Sequence, residues 1–492
     1  MSLDSIQKKN DQEPVKPTTY EQIGSEKKGT ESRKKRLVDN FRIIRSHKVK
    51  VYPAKSRTNQ KIKIYKPNLL LKQKRLFQIL LIIIFCIATL SVILLQSRIF
   101  KLFRLAYDIK NESIILGFQN SSELRPSGGF WGSFAILNVK ENLSQSEILF
   151  ETNPYKNDNP LLKTSTTELP KPMKESWSDR PQSFVNANWA LDFGEAGKTL
   201  EYYFGQGWNQ STDGVVGISS LALIDLLRLT GPITTNDGTQ ISADNFTEVM
   251  SQKIDTEYWQ SEENKITNEP KTIVKDIAPE IIARVKKLPK LRIYEFVLGQ
   301  MEKGRIIAYF NDNKKQNIAE DLGFSGRLLP YNKDYLSINN ANLNGGKSSL
   351  NINQTIKYSI SKDNDKPIAH VEVTRTYPDH SWPDILNRNY TRVVAPLGSK
   401  FISAKLDGID ASSEVETLDE SGRTTFGFWF SVGPTESKTV ILEYELPFSL
   451  NSSRNYGLVL QKQPGTLADQ IDISAFGKNL FSGLFDQNFA KF

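Results

Sequence analysis

The chain has 492 residues, a formal net charge of +9 and a single cysteine. Its length allows two or three domains, while one thiol excludes both a disulfide framework and a cysteine-rich metal site. The charge is uneven: residues 1–75 hold 21 of the 64 lysines and arginines but only 7 of the 55 acidic residues, so the remainder is mildly acidic and nucleic acid is not an expected partner.

Residues 1–75 are polar and lack apolar periodicity, which predicts a mostly disordered tail. Within it, Leu37, Phe41 and Ile44 fall at helical spacing among basic residues and suit a short helix on an anionic lipid surface. Leu76–Leu95 runs 20 residues without a charge, the length of a transmembrane helix. Lys72, Lys74 and Arg75 precede it. The positive-inside rule then predicts a single-pass protein of the cell membrane, with residues 1–75 cytoplasmic and 96–492 extracytoplasmic.

Residues 96–112 read as a linker and 113–332 as an α/β domain. The apolar run Ile114–Phe118 predicts a strand, followed by the polar stretch Gln119–Glu123, a turn at Pro126–Gly129 and a second strand from Phe130. Glu147–Glu151 predicts another strand, and 152–182, rich in Pro, Asn, Asp and Thr, a long surface loop. Asp192 followed by Glu195 fits a capping box for a helix to about Phe204. Asp213–Ile218 predicts a strand, and Ser219 or Ser220 the cap of a helix Leu221–Thr230 stopped by Gly231. Further helices are expected over 244–259, after Pro270, after Pro289 and over 315–322, with a strand at Arg305–Phe310. After about residue 332, short alternating segments separated by turns predict a C-terminal β-sandwich over 333–492, immunoglobulin-like in architecture.

The loop between the first two strands has the makings of an anion site. Gly128 and Gly129 free backbone N–H groups to converge, and Arg125 offers a planar fork of donors matched to phosphate or carboxylate. The same glycines also suit a plain hairpin turn. Ala341–Ser348 approximates a phosphate-binding loop, but a strand rather than a helix is expected after it, so no nucleotide is expected. No zinc-ligand spacing and no nucleophile elbow occur.

Gln119-Asn-Ser-Ser-Glu-Leu-Arg-Pro-Ser-Gly-Gly-Phe-Trp-Gly-Ser133 resembles the Asn-Asn-Ala-Glu-Leu-Arg-Pro-Thr-Gly-Gly-Phe-Ile-Gly-Ser pattern of the bacterial family known as domain of unknown function 4012. Asp213–Ile218, Leu229–Pro232, Asn339–Ser348 and Tyr390–Gly398 resemble its later blocks. That family is in turn similar to the LytR–CpsA–Psr domain, whose enzymes move glycopolymers from a polyprenyl-pyrophosphate carrier to the cell wall. The resemblance implies a LytR–CpsA–Psr-like mixed sheet with flanking helices. It implies Arg125, Asp192 and Asp213 as catalytic candidates, with Mg²⁺ as the cofactor if the protein is catalytic. Gln119, Asn120, Glu123, Gly128, Gly129, Asn186, Asn188 and Lys347 are the ligand-binding candidates. Pro126-Ser127-Gly128 stands where that domain has Ser-Asp-Thr, so its aspartate is missing.

The expected function is therefore a cell-envelope protein that binds a cell-wall or polyprenyl-pyrophosphate-linked glycan beside the bilayer, with glycopolymer phosphotransferase activity as an extension. Two alternatives stay open. One is a non-catalytic scaffold or adhesin, in which Arg125 would pair internally with a carboxylate such as Glu123. The other is a membrane-anchored glycosyltransferase.

Overall fold

The structure is a computed structural model that describes residues 77–87, 89, 97–177, 180–363, 366–449 and 456–492. Residues 77–87 are helical, and large apolar side chains such as Phe77, Ile82 and Phe85 are exposed. The rest of the expected span, Thr89 apart, and the basic tail with its expected helix lie outside the described residues. Among the described residues no helix is long and apolar enough to cross a membrane.

Residues 82–492 form one compact unit. Its first half is built on a mixed sheet. Strand β1 (Ser113–Arg125) lies at the centre. It pairs with β2 (Gly128–Phe130) in a hairpin at its far end, and with β3 (Phe134–Asn138) on one side, which carries β4 (Glu147–Glu151) at the edge. On the other side β5 (Gly214–Ser219) runs parallel to β1, followed by an antiparallel edge strand that closes the order β4-β3-β1-β5-β8. A small hairpin of β6 (Ile233–Thr234) and β7 (Gln240–Ile241) precedes that strand, β8 (Ile306–Phe310), in the chain.

Successive residues of a strand point to opposite faces, and both faces of this sheet are covered. Ile115, Val215, Ile307 and Tyr309 pack against Ala196, Leu200 and Phe204 of the helix Phe193–Trp208. Their neighbours Ile114, Ala308 and Phe310 pack against Leu105, Met301, Ile318 and Ala319 from three other helices. The result is a helix–sheet–helix layering.

Several expectations are met closely. Asp192 caps the helix Phe193–Trp208 by accepting from the Gly194 N–H at 2.8 Å, and Ser219 caps Ser220–Thr230 by accepting from Leu221 at 3.0 Å. Gly231, at φ 84°, ends the latter. Three expectations are corrected. The polar stretch Gln119–Glu123 does not leave the sheet, because its side chains find partners there: Gln119 donates to the Ser127 carbonyl at 3.0 Å and Ser121 shares a hydrogen bond with Ser219 at 2.9 Å. The loop expected over 152–182 contains the helices Tyr155–Thr164 and Lys171–Trp177, held by burial of Leu161 and Met173 against propensity. The segment 96–112 is no slack linker. It contains the helix Arg98–Asp108, whose Leu105 is buried in the sheet's second core.

The second half, from residue 334, is strand-rich as expected. One sheet has the order β15-β16-β12-β9-β18-β21 and the other β14-β13-β17-β11-β10-β19-β20. In chain order the strands are β9 (Asp334–Asn342), β10 (Asn353–Asp363), β11 (Lys366–Thr376), β12 (Asn389–Pro396), β13 (Lys400–Leu406), β14 (Ile409–Asp410), β15 (Glu416–Glu420), β16 (Arg423–Trp429), β17 (Ser437–Glu445), β18 (Leu458–Gln461), β19 (Asp469–Ala475), β20 (Lys478–Phe485) and β21 (Phe489–Lys491). Leu336, Val393 and Phe426 of the first sheet share a core with Val371, Leu442 and Ile471 of the second, so the sheets pack face to face. The C-terminal segment adds two parallel pairs, β18 on β9 and β19 on β10. Of the later strands, β19 alternates Ile471, Ile473 and Ala475 into the shared core, whereas β14 and β15 are short and exposed.

The two halves share buried side chains. Leu191 packs with Tyr335, Val394 and Val459, and Leu169 and Met173 pack with Ala341, Leu343 and Tyr390.

At the start of β9 the Asp334 carboxyl is fully buried, and burial pushes its pKa up to about 6 despite hydrogen bonds from Tyr358, Tyr456 and the Tyr335 N–H. A carboxyl raised in the folded state binds its proton more tightly there than when unfolded. Stability therefore falls as pH rises from about 4 to about 6, by on the order of 2–3 kcal/mol from this group, and is flat above. Urea unfolding across that range should show the fall, and Asp334→Asn should reduce it. An unchanged slope would mean that the carboxyl ionises without cost.

Candidate functional site

A cavity of about 730 Å³ lies between the first sheet and the helices that follow β5, within the size range of small-molecule sites. Its floor is one face of the sheet: Leu116 and Phe118 of β1, Ile148 and Phe150 of β4, and Ile218 of β5. These positions are two apart on each strand and in line across strands, since Leu116 and Phe150 flank Ala135 of β3 and Phe118 pairs with Ile218. Phe246, Met250, Ile254, Val274, Ile277 and Ile281 come from the helical side. These residues make much of the wall apolar, although Asp158, Asn159 and Arg180 also line the cavity.

One end is different. Arg125, Lys271 and Lys347 line it together with Glu123, Asp255, Tyr155 and Asn120. Arg125 is 5% exposed. Its Nη1 donates to the carbonyls of Leu124 at 3.1 Å and Asn342 at 2.6 Å, and its guanidinium lies 5.1 Å from the Phe130 ring and 5.3 Å from the Trp177 ring. Trp177 is held in place by donating to Asn344 Oδ1 at 2.5 Å. Burial lowers the Arg125 pKa to about 10, so the group remains a cation at neutral pH. No carboxylate lies within ion-pair distance of it among the described residues, and its buried Nε has no hydrogen-bond partner. An unpaired buried guanidinium is costly unless something else satisfies it.

Lys347 is used differently. Its Nζ bridges Glu123 at 3.2 Å and Asp255 at 2.6 Å. Burial works against its charge, but the two carboxylates outweigh that and hold its pKa above the usual value. Lys271 makes no ion pair among the described residues. Burial lowers its pKa, partly offset by the field of Asp255. Asn342 ends β9 and Lys347 lies in the loop after it, so the strand-rich half builds part of the wall.

The structure brings together Arg125, Gln119, Asn120, Glu123, Asn186 and Lys347 of the residues singled out in the sequence. It sets the others elsewhere. Asp192 is a helix cap that also accepts from the Leu328 N–H at 3.1 Å. Asp213 sits at the opposite end of β5 and accepts from the Ser113 N–H at 2.9 Å. Asn188 is buried behind the hairpin, where it donates to the Gly129 carbonyl at 2.9 Å. The glycines are corrected as well. Gly128 and Gly129 do not line the cavity but pair with Arg125 and Leu124 in the β1–β2 ladder. Gly129 is required by close approach, since a Cβ there would lie 2.3 Å from the Asn120 backbone.

The residues do not fit a resident Mg²⁺. Asp192 and Asp213 are outside the cavity, and Lys347 occupies the space between its nearest two carboxylates. Among the described residues no three His, Cys, Asp or Glu side chains gather as a metal site. Sequence reasoning missed Tyr155, Trp177, Asp255 and Lys271, which lie in helices or at helix starts with no local motif, and missed the apolar lining altogether.

Residues 110–254 match the model of a protein family described as "Protein of unknown function (DUF4012)". Over these residues the chain is similar to that family. The DUF4012 match covers β1 to β5 and Arg125, whereas Asp255, Lys271, Asn342 and Lys347 lie beyond it, so the cavity's polar end is only partly built from the DUF4012 region. No curated protein matches the chain. Solved structures similar to it include a candidate nutrient-binding protein from Legionella pneumophila, at 8% identity and TM-score 0.21 over 28% of this chain and 54% of that one. Another is an M1 zinc metallopeptidase from Deinococcus radiodurans, at 12% identity and TM-score 0.13 over 25% of this chain and 30% of that one. The chain thus spans about half and about a third of their lengths.

Because Asp192 caps a helix away from the cavity, Asp192→Ala should lower the unfolding free energy by about 1 kcal/mol and leave ligand affinity unchanged. Denaturant titration and a binding isotherm on the same variant test both halves of that statement.

Proposed function

We propose that this chain is a single-pass envelope protein whose DUF4012 region binds a polyprenyl-pyrophosphate-linked glycan through its lipid and its phosphates. One observation carries the reading: a largely apolar cavity ends at Arg125, a buried cation with no carboxylate at ion-pair distance among the described residues. Such a cavity suits an amphiphile with an apolar chain and an anionic head. Apolar surface withdrawn from water contributes roughly 25 cal/mol per Å², and the guanidinium supplies charge-assisted hydrogen bonds to phosphate. The rival in which Arg125 pairs with Glu123 is disfavoured, because Glu123 pairs with Lys347 instead.

In this reading Leu76–Leu95 anchors the domain to the membrane, where a polyprenyl carrier resides. The first half is a LytR–CpsA–Psr-like sheet, and the strand-rich half is an immunoglobulin-like sandwich that docks to wall or protein. The proposal is for binding and not for transfer, since Asp192 and Asp213 are engaged elsewhere and Ser127 stands where the related enzymes carry an aspartate.

Binding of polyprenyl pyrophosphate to the detergent-solubilised chain, with and without Mg²⁺, tests the reading. The wild type should bind without Mg²⁺, and Arg125→Ala should weaken binding by about 10- to 100-fold, the loss of a charge-assisted hydrogen-bonding group. Equal binding by both, or none by either, would leave the scaffold as the better account.

A further inference from the structure

A second cavity, of about 550 Å³, adjoins the polar end of the first. The two share Tyr155, Asn159, Ile254, Asp255 and Lys271 as a common wall. The second is the more polar of the two. Beyond the shared residues it is lined mainly by amides, lysines and prolines, with one large ring, that of Trp259.

That ring is 37% exposed and stands in a turn of irregular helix just after Asp255. It is braced edge-on by Tyr258 at 5.1 Å between centroids, which leaves it supported but not covered. Neither Trp259 nor Lys163 has a hydrogen-bond or ion-pair partner among the described residues. Asn268 is held in a left-handed conformation at φ 53°, and its carbonyl is fixed by Asn153 at 2.7 Å.

We infer that this second cavity is a glycosyl site, which takes the sugar attached to the phosphate of the carrier. The inference rests on the lipid-carrier reading above. A pyranose has an apolar C–H face and a rim of hydroxyls. An exposed indole face suits the first, and ammonium and amide groups suit the second. The placement follows from connectivity. Lys271 lines both cavities, so a pyrophosphate held between Lys271 and Arg125 has the lipid ester of one phosphate directed into the apolar cavity and the glycosyl ester of the other directed into the polar one. Trp259 is the stacking platform and Lys163 a hydroxyl-binding donor. Both line only the second cavity, so their substitution leaves the lipid site intact.

The test uses the full chain in lipid nanodiscs and two probes: polyprenyl pyrophosphate without sugar, and the same carrier bearing a disaccharide. The wild type should bind the glycosylated carrier more tightly. Trp259→Ala should remove about tenfold of that affinity, in line with the loss of one well-packed aromatic contact, and leave the bare carrier unchanged. Lys163→Ala, at an exposed position, should act in the same direction. Equal wild-type affinity for the two carriers, or a loss in Trp259→Ala that is the same for both, would overturn the glycosyl site while keeping the lipid site. A wild type that binds neither carrier would overturn the lipid-carrier reading itself, and with it this inference.

Discussion

A guanidinium withdrawn from water has to be surrounded by rings and carbonyls, and Arg125 imposes that requirement on the molecule. Its neighbours come from far apart. Phe130 belongs to its own hairpin, Trp177 to a short helix in the segment between β4 and β5, and the Asn342 carbonyl to the end of β9. The last contact joins residues 217 positions apart in sequence. The polar end of the cavity therefore forms only when the strand-rich half is docked on the first half, which explains why the two share buried side chains.

The hairpin that carries Arg125 is fixed by equally close packing. Gln463, from beyond β18, donates to the Arg125 carbonyl at 2.9 Å and to the Asn340 carbonyl at 2.8 Å. Asn339 donates to the Pro126 carbonyl at 2.8 Å. Ser127 donates to the Asn188 carbonyl at 3.0 Å. The buried carbonyls of Arg125 and Pro126 are thus satisfied by amide side chains from the other half, and that of Asn188 by the hairpin's own serine. This accounts for the polar composition of the conspicuous motif Gln119–Ser133: much of it is interface and not ligand site. The glycines illustrate the same division. They let two strands approach, and it is the arginine beside them that lines the cavity.

Much of the first half was legible in the sequence because its signals are local. The apolar run at Ile114, the cap at Asp192 and the Ser219–Gly231 helix each depend on residues within a turn or a strand pair. The helices between 152 and 182 were not legible. Pro160 and the surrounding Asn and Asp argue for loop, and only the burial of Leu161 and Met173 overrides them. Asp213 was not decidable from the sequence, because an aspartate ahead of a glycine and a strand looks alike whether it holds a ligand or, as here, clasps a neighbouring strand.

The sequence by itself determined the α/β and strand-rich halves, many of their elements and the motif that carries Arg125, since period, caps and a distinctive motif are properties of neighbouring residues. Tertiary structure alone decided which candidates meet. It joined Arg125 with Lys271 and Lys347, separated it from Asp192, Asp213 and Asn188, and opened an apolar cavity that no motif announces. The physical reason is that a cavity is a property of surfaces brought together from distant segments. Its apolar lining is indistinguishable in sequence from core, and whether a cation is paired depends on which carboxylates the fold delivers to it.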